Sequence, residues 1–129
     1  MPWLGNPLDR AYVRALSQIV ACELHPLNNL RTLKHICAAY KLDDEGVNTW
    51  IAEGFRMMES FLAENWKHGK FCFRDQITMA DCCLVPQVFN AQRYHCDLKP
   101  YPAVMRIHEA CMKLDAFMQA QPSKQPDAS

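Results

Sequence analysis

Apolar residues recur every three or four positions along most of this chain, which is the spacing of one face of an α-helix. Leu8, Tyr12, Ala15 or Leu16, and Ile19 form the first stripe, and Leu27, Leu30, Leu33, Ile36 or Cys37, and Tyr40 resume it. Asn6 and Pro7, with Asp9 in the first turn, predict an N-cap followed by proline at the first helical position. Pro26 divides the two halves. It has no amide proton for the carbonyl of Cys22 and its ring crowds that turn, so a long helix is expected to bend near His25. A second stripe runs through Val47, Trp50 or Ile51, Phe55, Met58, Phe61 or Leu62, and Trp66. Asp43 or Asp44 caps it, and Lys67, His68 and Gly69 read as its stop. Only residues 70–73, Lys-Phe-Cys-Phe, read as extended.

The stretch Ile-Thr-Met-Ala-Asp-Cys-Cys, residues 77–83, breaks the pattern with a hydroxyl and a carboxylate three positions apart in an apolar run. Thr78 as N-cap and Asp81 at the third helical position predict a structural capping box, with Ile77 and Cys82 at the two positions of a hydrophobic staple. The helix they open, Met79 to Arg93, is apolar nearly all round and is expected in the middle of a bundle. Pro102 opens a fourth helix with Val104, Ile107, Cys111 and Leu114 as its stripe, and Asp115 is placed to cap one more turn carrying Phe117. The expected fold is all-α: one helical domain over residues 1–129, with 1–5 and 121–129 as loosely held ends.

Composition narrows the possible functions. Fourteen basic residues balance fourteen acidic ones, so no net field draws the chain to nucleic acid or to an anionic membrane. No apolar run approaches the roughly 20 residues that cross a bilayer, and the first residues do not read as a signal peptide, so a cytoplasmic location is expected. Seven cysteines, with no Cys-x-x-Cys, lack the spacing of a zinc site or a disulfide scaffold and read as small core hydrophobes. His68, Cys72 and Cys96 could be combined into a site, but nothing in their spacing favours one; no metal is expected.

The capped helix carries a resemblance. The pattern Ser/Thr-x-x-Asp opening a buried helix is a hallmark of the C-terminal domain of cytosolic glutathione transferases. The longer string TMADCCLVPQVFNAQRYHCDLKPYP, residues 78–102, resembles the zeta class, whose members include maleylacetoacetate isomerase. HPLNNLRTLK at 25–34 and KQPD at 124–127 also match that class, so the resemblance runs from about Asn6 to Asp127. In the family this helical domain is joined to an N-terminal thioredoxin-like domain, whose Ser-Ser-Cys motif activates glutathione. The four serines here, Ser17, Ser60, Ser123 and Ser129, include no such motif.

The resemblance implies a glutathione-dependent cis–trans isomerase or transferase of which this chain supplies the substrate-binding wall, inactive alone and with weak or no glutathione binding. Glutathione thiolate would add to the conjugated double bond, the single bond would rotate, and elimination would return the trans isomer. Arg93 matches the arginine the class uses for the substrate carboxylate, a task suited to a two-pronged guanidinium. His25, Asn29, Leu30 and Arg31 fall in the stretch that touches glutathione; Asn29 and Leu30 match directly, His25 stands where familiar members have glutamine, and Arg31 replaces a small hydroxyl residue. A homodimer or self-association, and a separate thioredoxin-like domain, are the implied partners. The alternative is a stand-alone helical interaction module without catalysis.

Overall fold

The computed structural model describes residues 5–128. Residues 1–4 and Ser129, which belong to the expected loose ends, lie outside them. Helix α1 spans Pro7–Gln18 and passes without a break into a π-helical segment, Ile19–Leu24; α2 (His25–Asn28) and α3 (Leu30–Tyr40) follow. Then come α4 (Asp44–Glu64), α5 (Met79–Arg93), α6 (Pro102–Cys111), α7 (Asp115–Gln119) and a 3-10 turn, Pro122–Lys124. Among the described residues there is no strand. The Lys-Phe-Cys-Phe stretch is a compact loop with two isolated bridges, His68 to Arg74 and Phe73 to Gln76.

Side-chain contacts fix how the helices run. Tyr12 and Phe61 have ring centroids 5.4 Å apart, while a Cβ on Gly54 would run into Leu24, so α1 and α4 are antiparallel. The α1 hydroxyl of Tyr12 and the start of α5 meet at the same loop, through the carbonyl and the amide of Cys72. Cys111 at the end of α6 touches Asp81 at the start of α5, which makes those two antiparallel. Glu59 of α4 takes the amides of Ala103 and Val104 at 2.9 and 3.0 Å, capping α6 from a neighbouring helix. One core joins them, with Leu16, Ile51, Phe55, Leu84 and Ile107 at its centre.

Several sequence expectations fail in detail. Leu8 is 71% exposed and Trp66 is 81% exposed, although both sit in register with a stripe. Leu30 and Tyr40 are also exposed. Leu8, Leu30 and Tyr40 lie at the ends of their helices and Trp66 lies just beyond the end of α4, where the neighbours that would cover them have run out. Helix α4 stops at Glu64 with Asn65 extended, five residues before Gly69; the Asn65 amide group donates to the Phe61 carbonyl at 2.8 Å and helps to close the end. Asp115 is the first residue inside α7 rather than its cap, a position held by Leu114. The bend expected at Pro26 is distributed. The π-helical segment widens the turn before it, the amide of His25 donating to the carbonyl of Val20 five residues back, and the chain turns extended at Asn29 three residues later. Helix α5 has its expected ends, but it is covered on only part of its circumference: Ala80, Leu84, Val88 and Ala91 are buried, while Cys82, Pro86 and Phe89 are exposed.

Candidate functional site

The two ends of α5 are built differently. At its start the Thr78–Asp81 capping box is closed. The Asp81 Oδ2 accepts from the Thr78 amide at 2.8 Å and from the Thr78 hydroxyl at 3.0 Å. The other oxygen accepts from the Cys72 amide at 2.8 Å and meets the Cys111 thiol at 3.8 Å. Asp81 is fully buried, and it ties together the 70–76 loop, α5 and α6. Burial, and then the neighbouring Asp81 carboxylate, push the Cys111 thiol up to about 12 and the Cys72 thiol well above its ordinary value. Burial raises the Tyr12 hydroxyl too. These groups stay protonated and act as donors, not nucleophiles. Neither Cys72 nor Cys111 could be paired with Asp81 from sequence, because they lie 9 and 30 residues away from it.

At the other end of α5, Arg93 is exposed, and no hydrogen bond or ion pair holds its guanidinium within the described chain. Helix α5 packs against the Ile19–Leu24 segment, which leads directly into His25–Arg31. His25 is exposed. Asn29 is the N-cap of α3: its Oδ1 accepts from the Thr32 amide at 3.0 Å and its Nδ2 donates to the Pro26 carbonyl at 2.9 Å. That leaves one Oδ1 lone pair and one Nδ2 hydrogen for anything else. Leu30 and Arg31 are exposed on the first turn of α3, and Arg31, like Arg93, is unbonded within the described chain. The Nδ2 atoms of Asn28 and Asn90 and both amide atoms of Gln87 are buried without a partner. Asn28 sits inside the sequence-defined stretch yet drew no attention there, since an asparagine at a helix end reads as a capping residue.

A third feature lies on the uncovered side of α5. An apolar groove of about 570 Å³ runs between α5, α6 and α7, with Val85, Phe89, Met112 and Phe117 in its walls. His108 is the one histidine in it; burial lowers its pKa below the ordinary value, against a smaller opposite pull from Glu109. Among the described residues no cluster of three potential ligands could hold a metal ion, and no helix is long and apolar enough to cross a membrane.

No protein-family model matches the chain. Among curated proteins, the maleylpyruvate isomerase of a Ralstonia species is 44% identical over 124 residues, covering 93% of this chain and 58% of the relative. Among solved structures, a holo maleylpyruvate isomerase described as a bacterial zeta-class glutathione S-transferase matches with a TM-score of 0.90 at 42% identity, over 98% of this chain and 61% of its own. The maleylacetoacetate isomerase of Anaeromyxobacter dehalogenans 2CP-1, solved with GSH bound in its active site, matches with a TM-score of 0.90 at 37% identity, over 98% of this chain and 58% of its own. The chain therefore spans little more than half the length of such relatives. It belongs to the zeta-class glutathione S-transferase family, the family of maleylacetoacetate and maleylpyruvate isomerases, and corresponds to its C-terminal helical domain.

Proposed function

We propose that this chain is the substrate-facing half of a glutathione-dependent cis–trans isomerase, supplying Arg93 to hold a carboxylate of a dianionic substrate such as maleylacetoacetate or maleylpyruvate. The observation that carries this reading is the free guanidinium at the end of a rigid, well-capped helix. Arg93 has no partner of its own within the described chain, and it is exposed. A guanidinium held open in this way can take a carboxylate by two parallel hydrogen bonds. His25, Leu30 and Arg31 offer the edge of a glutathione site, with Asn29 shaping it through the α3 cap. The thiol-activating serines are absent from the sequence, so the chain alone turns over nothing.

The apolar groove beside α5 is, on this reading, the face that a thioredoxin-like domain covers. In the chain on its own, that face is covered by a second copy; the outward Trp50 and Met57 of α4 offer a second contact. The test is calorimetric titration of glutathione into the chain, with maleylacetoacetate turnover measured alongside. Weak or undetectable glutathione binding and turnover at the buffer rate are expected. Turnover well above that rate overturns the proposal that the chain is half of a site. A non-catalytic interaction module is the second reading, favoured by the commitment of the Asn29 amide to capping. Supplying the amino-terminal half of the Ralstonia relative decides between them: restored turnover that Arg93→Ala abolishes supports the enzyme.

A further inference from the structure

Helix α5 carries a pair of amides that the protein itself does not satisfy. Gln87 is fully buried, yet neither its Oε1 nor its Nε2 has a hydrogen-bond partner. Asn90, three residues on, has its Nδ2 buried and unpartnered as well. Exchanging the oxygen and nitrogen of Gln87 rescues nothing, because both atoms lack a partner. The two amides do not bond to each other either. Gln87 lies off the apolar groove, whose α5 wall is Cys82, Val85, Pro86, Phe89 and Gln92. It is buried with Leu84, Val88 and Ala91, none of which reaches solvent.

A buried amide without partners is strongly destabilising, and native cores satisfy such groups from the protein or from ordered water. Three features select water here. Full burial at Gln87 closes the site to anything larger. The unpartnered atoms include an acceptor and donors, so an ion of either sign would satisfy one kind and oppose the other, whereas water serves both. Residues three apart on a helix have Cβ atoms about 5–6 Å apart, a gap that one water spans with two bonds of about 2.8–3.0 Å. Asn90 is only half-buried, which gives such a site a route of exchange with solvent. We propose that Gln87 and Asn90 form an internal water site: one water donates to the Gln87 Oε1 and accepts from the Asn90 Nδ2, and a second takes the Gln87 Nε2 hydrogens. These waters are part of the core, and with them in place the glutamine stabilises the fold more than an apolar side chain of the same length.

A high-resolution crystal structure of the parent chain should show an ordered water within about 3.2 Å of both the Gln87 Oε1 and the Asn90 Nδ2. In solution, the side-chain amide protons of both residues should give nuclear Overhauser cross-peaks to a long-lived internal water. Gln87→Met keeps the length of the side chain and removes both polar atoms. It should lower the melting temperature by about 4 °C and abolish the water cross-peak at Asn90. Should that variant fail to fold, the parent's crystal structure and cross-peaks decide alone. Amides turned to protein partners, with no water between them, overturn the proposal. A Gln87→Met chain that melts at or above the parent's temperature also overturns it, because methionine would then have relieved an amide that no water served.

Discussion

The two ends of α5 differ in what their charged residues have been given. Asp81, at the first, has four donors within reach and no exposure to solvent. Arg93, at the last, has solvent and no partner within the described chain. The same helix therefore carries one charge that is consumed by the fold and one that is left over. A buried carboxylate is tolerable only when hydrogen bonds replace the lost water, so its partners must come from within the protein. An exposed guanidinium carries no such obligation and remains available to a ligand. Both are charged residues on an apolar helix, and they differ in whether the fold itself supplies their partners.

The sharpest way to break this comparison is to remove the Asp81 carboxylate. Asp81→Ala strands the amides of Thr78 and Cys72, and should lower stability by about 3 kcal/mol in chemical denaturation, whereas Thr78→Ser, which keeps the hydroxyl, should be mild. A variant that melts like the parent would remove the structural account of this end. Glu59→Ala comes next. It withdraws the carboxylate that accepts from the first amides of α6 and should cost about 1–2 kcal/mol by the same measurement. A smaller effect is expected from pH. His108 has a lowered pKa in the fold, so the unfolded chain takes up the proton first as pH falls below about 6.5, and stability declines across that window. In His108→Phe that part of the decline should disappear, which melts at pH 8 and below pH 6 would show. The smallest stability change belongs to Arg93→Ala, within about 0.5 kcal/mol. A markedly destabilised Arg93→Ala would place Arg93 with Asp81 and blur the distinction between the ends.

The sequence announced the caps better than the burial. Asn6, Asp43 and Thr78 cap their helices as their neighbours suggest, because capping is settled within three or four residues. Leu8, Leu30, Tyr40 and Trp66 were in phase with buried stripes but are exposed, since periodicity reports a direction around a helix and not whether a neighbour stands there. Asp81's further partners, Cys72 and Cys111, and the Glu59 cap of α6 depend on contacts 9 to 45 residues apart, which no local pattern encodes. At the candidate site, the stretch from His25 and the position of Arg93 are singled out only through the resemblance. That Asn29 is occupied with capping and Arg31 is unbonded became clear from the geometry.

The π-helical segment at Ile19–Leu24 sets the phase of everything that follows it. A π turn holds one more residue than an α turn, so it shifts the angular clock of the helix by about one residue, roughly 100°. Leu24 meets Gly54, and His25 to Arg31 emerge at the end of the bundle, only with that offset in place. Deleting the exposed Ala21 would give the chain the option of an unbroken α-helix through Leu24. It would rotate His25, Leu30 and Arg31 by about a quarter turn relative to α1, with every one of those side chains still present but aimed elsewhere.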